Sequence, residues 1–539
     1  MRRRVRHWSF VAGLLGASIG LPATPVAAQG DPAVSGSRLL PADAWLMDPV
    51  ARLRQRGFLR GLQPLAQPYA RDDVAREVAA ITPADEARMS RAARQWLAIL
   101  RLELGPELAR RAGRDSLAMG FVVSTGGVVF TNPRLDPMLP LRAGQRAPDG
   151  EPREGTSGWR IPNSWPISSF GGWGERGAFA AELRFGWDLW LRRGDPDGRD
   201  PKRGFDVLPD GELAYVTGRW QHGGLEIGRF RRNWAPLGQE GLLIGPSAFP
   251  LPQVGYSLGG RQLKLRGFVA ALDTVRGTER FATMHRLEYQ RGDFALSIGE
   301  GKVYGSTSGP KLQSFLPMEI SFITLDRIPG ELPANVMIDG QLWWRRGSTL
   351  LTGEWLVDDF WILGDRPSRM ALSGGLRWTP PAREVEVGVE YRVVQSLTYH
   401  SIEPRQNIDG WTHWGRGLGD NFSDYDRARV YAHWFPQVAG LRLSPSVAVQ
   451  RRGEWDFRRP ALPDSLFPRL RSFLQGTPER MVRLSVAGRY QPNRRLVADW
   501  DAGWNRVANA GHVPGRSLTE FQGMIRVGML WSAPHRDAP

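Results

Sequence analysis

From about residue 118 onward the chain is apolar at every second position, segment after segment, and this period most constrains its fold. In one segment Ala181, Leu183, Phe185, Trp187, Leu189 and Leu191 alternate with Glu182, Arg184, Gly186, Asp188 and Trp190. Val385, Val387, Val389, Tyr391 and Val393 alternate with Glu384, Glu386, Gly388, Glu390 and Arg392. The same phase carries Leu441, Leu443, Val447 and Val449, and then Val482, Leu484, Val486 and Tyr490. A period of two places successive side chains on opposite faces of a strand, so each segment is greasy on one side and wet on the other. About sixteen such segments are visible, many of about ten residues, the length and pattern of a transmembrane β-strand.

A soluble propeller or a series of sandwiches also alternates. No blade-length repeat recurs, which removes the usual sign of a propeller. Aromatics cluster near strand ends (Trp187, Trp190, Trp343, Trp344, Trp355, Trp378, Tyr391, Trp434, Tyr490, Trp500 and Trp504), where an interfacial girdle needs them. The terminal run Phe521, Gly523, Ile525, Val527, Met529 and Trp531 resembles the signal read by the outer-membrane barrel assembly machinery, although eight residues, Ser532 to Pro539, follow it. An open sheet edge in hydrocarbon would leave backbone groups unpaired, so a membrane sheet must close. Residues 118–531 span 414 positions. At about 23 residues per strand and connection, that gives roughly 18 antiparallel strands. The fold expected is an all-β transmembrane barrel.

Ahead of the barrel lie two other regions. Arg2 to Arg6, the apolar stretch Trp8 to Leu21 and Val26-Ala27-Ala28 read as a secretory signal over residues 1–28. Residues 29–117 read as a helical periplasmic or plug segment. Asp48-Pro49 supplies an N-cap and first-turn proline, and Gly57 ends that helix. A second helix covers Asp72 to Ile81. Thr82 to Asp85 forms a capping box opening a third, whose stripe of Met89, Ala93, Trp96, Leu100 and Leu104 is stopped by Gly105-Pro106. Residues 532–539 form a C-terminal tail.

Composition narrows the function. With no cysteine, disulfides, thiolate metal sites and cysteine nucleophiles are excluded. The net charge of +16 comes from 67 arginines and only four lysines, with no basic run or nucleic-acid motif, so nucleic acid is not expected as a partner. No Gly-x-Ser-x-Gly, His-Glu-x-x-His or phosphate-binding glycine loop is present, and eight scattered histidines lack metal-ligand spacing, so neither catalysis nor a cofactor or metal is expected.

The polar strand face lists a lumen that includes Glu182, Arg184, Asp188, Glu226, Lys264, Arg266, Arg286, Glu288, Glu354, Arg377, Glu386, Glu390, Arg392, Arg483, Asp499 and Arg526. Such a wall is either a lattice of ion pairs or the lining of a path for a hydrophilic ligand. Two loop-like segments add candidate ligand residues. Arg231, Arg232 and Trp234 lie in 228–250, which suits either acidic sugars or a turn folded back into the lumen. Trp411, His413, Trp414 and Arg416 lie in 411–421, which suits either carbohydrate stacking or an interface loop.

The stretch Leu53 to Val74, with Gly57, Leu62, Pro68 and Arg71, is followed by Gly228-Arg229, Trp234-Ala235-Pro236-Leu237-Gly238, Leu242 to Pro250, and Gly417-Leu418-Gly419 before Asp424 and Asp426. On these residues the chain resembles the Wzi family of capsule assembly proteins. The match departs at Trp234-Ala235-Pro236-Leu237, where that family has Trp-Gly-Pro-Gly. The resemblance implies an outer-membrane barrel with helices at its periplasmic mouth. It also implies a lectin-like function, binding exported capsular polysaccharide and attaching it to the cell surface, with outer-membrane lipid as surroundings and no cofactor. The alternatives are a porin-like channel for small hydrophilic solutes and a purely structural barrel.

Overall fold

The computed structural model describes residues 36–113, 117–131, 138, 164–188, 210–246, 248–307, 309–310, 331–359, 369–400, 408–457 and 473–536. The expected signal at 1–28 lies outside the described residues, as do Leu189, Trp190 and Leu191, and the side chains of Trp187 and Asp188.

Eighteen antiparallel strands form one closed barrel. In chain order they are β1 (Ala118–Phe130), β2 (Ser164–Arg176), β3 (Phe179–Asp188), β4 (Asp210–Trp220), β5 (Gly223–Phe230), β6 (Leu251–Gly259), β7 (Leu263–Ala271), β8 (Glu279–Arg291), β9 (Phe294–Ser306), β10 (Glu331–Arg346), β11 (Thr349–Asp359), β12 (Arg369–Trp378), β13 (Val385–Val394), β14 (Tyr425–Trp434), β15 (Leu441–Arg452), β16 (Glu479–Tyr490), β17 (Leu496–Ala508) and β18 (Ser517–Arg536). Neighbours in sequence are neighbours in the sheet, and β18 closes on β1 from Met524↔Phe130 to Arg536↔Ala118. The last strand therefore runs five residues past Trp531, where the sequence suggested a tail. The long first strand explains this, because the backbone of Ala118 to Val122 needs a partner.

The phase of the strands agrees with the alternation. Leu183, Val387, Val389, Val447, Leu484, Ile525 and Met529 are exposed on the outer surface, whereas Glu182, Glu386, Ser485 and Arg483 are buried. Trp344, Trp378, Trp434 and Trp220 are exposed at one end of the wall, and Trp504 and Phe521 toward the other. Closure and this apolar belt make the chain a bacterial outer-membrane barrel. Trp343 departs from the expected girdle: it is fully buried inside, because consecutive strand residues cannot share a face and Trp344 has the outer one.

Among the described residues five helices precede the barrel: α1 (Met47–Gln55), α2 (Arg71–Ala79), α3 (Pro83–Ala87), α4 (Arg91–Glu103) and α5 (Gly105–Arg111). Thr82 and Asp85 form the reciprocal capping box on α3. The helix expected to run on from there breaks at Ser90, whose hydroxyl accepts from the Ala93 N–H and starts α4. Gly105-Pro106 opens α5 rather than ending the segment, since proline at the first turn lacks only an N–H that would be unpaired anyway. Asp48 lies within the first turn of α1, not at its cap.

The helices pack against the barrel end that has the short turns. Arg345, beside the Gly347-Ser348 turn, donates from Nε to Gln55 O (3.1 Å) and from Nη2 to Arg56 O (2.9 Å). Glu386 accepts from Arg52 Nη1 at 2.6 Å and Arg56 Nε at 2.8 Å. Asp48 accepts from Arg442 Nη1 at 2.6 Å, with Arg52 and Arg489 nearby. Burial pushes the Asp48 carboxyl upward, but these three guanidiniums outweigh it and hold the group below the usual carboxylate range. Short turns mark the periplasmic end of such barrels and longer loops the extracellular end.

Candidate functional site

The lumen is filled unevenly. On one side the helical core of Leu53, Leu62, Leu65, Val74, Leu97 and Leu100 continues into the wall through Ala295, Trp343 and Leu350. Beyond it, the segments 231–246, 248–250, 395–400 and 408–424 fold inward. Trp234, Leu242, Leu243, Ile244, Tyr399, Trp411 and Leu418 pack there on Phe268, Met284, Val303, Met337 and Leu356 of β7 to β11. Tyr399 Oη donates to Leu242 O at 2.7 Å and Trp411 Nε1 to Leu243 O at 2.9 Å, so the two segments are tied to each other.

On the opposite side several inward positions are small, Ser124 and Gly126 on β1, Ser169 on β2, Gly186 on β3, Gly528 and Ser532 on β18, set among larger ones such as Val122, Val128, Phe130, Met524 and Leu530. Across the seam Ser124 Oγ and Ser169 Oγ are 2.7 Å apart. Small residues leave space, and a cavity of about 1120 Å³ lies against this wall. Its lining runs from Glu103 and Arg494 near the periplasmic end to Phe249, Arg416 and Asn421 at the loops. Thirteen arginines and seven carboxylates line it, an excess of six positive charges.

Several of those arginines are already engaged: Arg392 with Asp420 at 2.8 Å, Arg489 with Asp499 at 3.2 Å, Arg231 with Asp43 at 3.2 Å. Arg526 projects from β18 toward the cavity, exposed, with no ion pair among the described residues. Arg429 of β14 lies opposite Glu390 of β13 and stacks over the Tyr431 ring at 5.2 Å, with no ion pair within 4 Å among the described residues. The sequence marks Arg526 as a lumen residue, but nothing in the apolar-polar pattern singles out the small wall beside it.

The seven residues expected to hold ligand divide by exposure. Trp234 and Trp411 are buried to within about one per cent of their surface, and neither offers a ring face to a sugar, because both are wedged in the apolar core of the inward segments. Arg232 is buried as well, bonded to Glu226 at 2.7 Å and stacked between Phe230 and Phe268. His413 is buried, and its Nδ1 accepts the Asp273 N–H at 3.1 Å. Burial lowers the His413 pKa, with Asp273 opposing, so the ring is held neutral. Arg231, half-buried, lines the cavity, and Arg416 reaches it although only 6% exposed, stacking over Phe249 at 5.3 Å.

Trp414 alone of the tryptophans in this set is exposed, at 39%. Thr412-His413 pairs with Arg416-Gly417 across a two-residue turn in which Trp414 (φ 52°) and Gly415 (φ 76°) are both left-handed. Two positive φ values are what such a tight hairpin turn demands, and a tryptophan held there is strained. The turn thus presents one indole outward from a buried base.

Among the described residues no group of three or more His, Cys, Asp or Glu side chains is placed to hold a metal. No protein-family model matches the sequence, and no curated protein matches it by sequence. Among solved structures, Wzi of Escherichia coli, described as an outer-membrane protein involved in group 1 capsule assembly and a carbohydrate-binding β-barrel, aligns with a TM-score of 0.61 at 13% identity, over 92% of this chain and 99% of that one. OccK3 and OprD of Pseudomonas aeruginosa align over 78% of this chain and 96% of theirs, at 9% and 8% identity, with TM-scores of 0.41 and 0.42. The chain, an 18-stranded outer-membrane barrel with a helical segment ahead of it, is therefore similar in fold to Wzi.

Proposed function

We propose that this barrel binds an exported polysaccharide and attaches it to the cell surface, acting as a lectin rather than as an enzyme or an open pore. The observation that carries this reading is the arginine-rich cavity between a small-residue wall and a plugged half-lumen. Guanidiniums such as Arg526 and Arg429 are suited to the carboxylates of an acidic glycan, and Ser124, Ser169 and Asn421 to its hydroxyls. At the loop end Trp414 offers the flat apolar surface on which a pyranose ring stacks. The likeness to a barrel described as carbohydrate-binding supports the same reading. In this proposal the C-terminal strand serves as the signal to the barrel assembly machinery.

The test is surface retention of capsular polysaccharide in a deletion strain complemented with wild type or with Arg526→Gln/Arg429→Gln. Wild type restores retention and the double variant does not, with both barrels assembled to the same level. Equal retention overturns the cavity as the site. Planar-bilayer recording separates the porin reading: with one half filled and Leu102, Glu103 and Pro106 of the helical segment lining the periplasmic end of the other, the barrel is nearly silent, whereas stable open steps would favour a channel.

A further inference from the structure

A second charged surface lies on the outside of the barrel. Along β14 to β17 the register aligns Asp426, Arg451 and Arg480 as successive partners at one level near the extracellular end. Arg506 lies one step toward the membrane centre, opposite Val482. All three arginines share the outward phase of Val449, Val482 and Trp504 and are exposed.

Arg451 and Arg480 face each other directly across an antiparallel pair, where opposed side chains start only about 5 Å apart and like charges repel. Among the described residues one carboxylate serves the group: Asp426 pairs with Arg451 at 2.5 Å and also accepts from Tyr391 Oη at 3.1 Å. Arg480 and Arg506 have no ion pair among the described residues. Immediately below them the wall becomes apolar and aromatic, with Trp504 and Phe521 in ring contact at 5.1 Å. The cations therefore sit where hydrocarbon gives way to headgroups on the extracellular side.

We propose that this patch binds the phosphate of a phosphorylated glycolipid in the outer leaflet. A phosphate presents several acceptor oxygens and a negative charge to the planar forks of two guanidiniums, which relieves their mutual repulsion, while the acyl chains of the same molecule lie against Val482, Leu484 and the aromatic pair. A free anion would gain only the first of these contacts.

The experiment is native mass spectrometry of the full mature barrel in neutral detergent, titrated with diphosphoryl lipid A, with the same lipid stripped of phosphate, and with inorganic phosphate as competitor. The patch retains diphosphoryl lipid A at least about tenfold more tightly than the phosphate-free lipid. Millimolar inorganic phosphate does not displace it. Arg480→Gln/Arg506→Gln erases the preference while heat-modifiable gel migration stays normal. Equal binding of the two lipids by wild type, which needs no variant, overturns the proposal, as does an unchanged preference in the double variant. Displacement by inorganic phosphate overturns the glycolipid as the occupant.

Discussion

The two halves of the lumen wall are made of the same alternating strands yet do opposite things. From β7 to β11 the inward positions include Phe268, Met284, Val303, Met337 and Trp343, and helices and loops cover them. From β17 through β18 and β1 to β3 glycines, serines and charges are interspersed with Val122, Val128, Phe130, Met524 and Leu530, and a cavity remains. Strand number and closure set the circumference, but the size and polarity of inward residues decide whether a region is a core or a container.

The largest effect expected is on the filled half. Trp343→Ala removes a fully buried indole beneath the helical core and costs about 3 to 5 kcal/mol, measured by denaturant unfolding in detergent or vesicles. A loss below about 1 kcal/mol would mean that the helices do not depend on this contact.

Next comes the outer face. Leu484→Arg puts a cation into lipid at mid-strand and costs about 2 to 4 kcal/mol by the same assay. Glu386 does not offer the mild inward counterpart that strand phase alone suggests, because it holds Arg52 and Arg56 of α1 and its flank, so changing it leaves two buried guanidiniums without their carboxylate. Thr82→Ala removes the exposed capping box of α3 and lowers stability by about 1 kcal/mol, a local change seen as faster amide exchange over 83–88.

A smaller effect follows pH. The folded His413 pKa lies below the ordinary histidine value because burial disfavours the charged ring. The unfolded chain then binds more protons at low pH, so this contribution is complete above about pH 6.5 and is lost as pH falls through the folded value. Limited proteolysis of the 411–417 turn should accelerate on acidification, and His413→Gln should flatten that dependence.

The least change in stability is expected on the open half. A Cβ at Gly528 meets nothing within 4 Å, so Gly528→Leu fills cavity space and shifts stability by no more than about 0.5 kcal/mol while reducing polysaccharide retention. Large destabilisation there would erase the distinction between the halves.

The barrel was legible because its outward residues meet lipid, which demands an apolar side chain at every second position. Trp343, Met337 and Val303 were not, because what covers them is Leu53, Trp234 or Trp411, far away in the chain. The aromatic loops drew attention for a sound chemical reason, but burial turned Trp234 and Trp411 into core and left Trp414 outside. The cavity itself was hidden, since a glycine or serine at an inward position carries no signal in a pattern of apolar and polar letters.

On the proposed function the open half-lumen holds an acidic polysaccharide. The most direct test is calorimetric titration of the purified mature barrel with acidic and with neutral oligosaccharides of equal length, at low and at high salt. Saturable binding of one acidic chain per barrel is expected, weakened by salt and by Arg526→Gln/Arg429→Gln, with little binding of the neutral chain. No binding of either chain, or binding unaffected by salt and by the double variant, would contradict it.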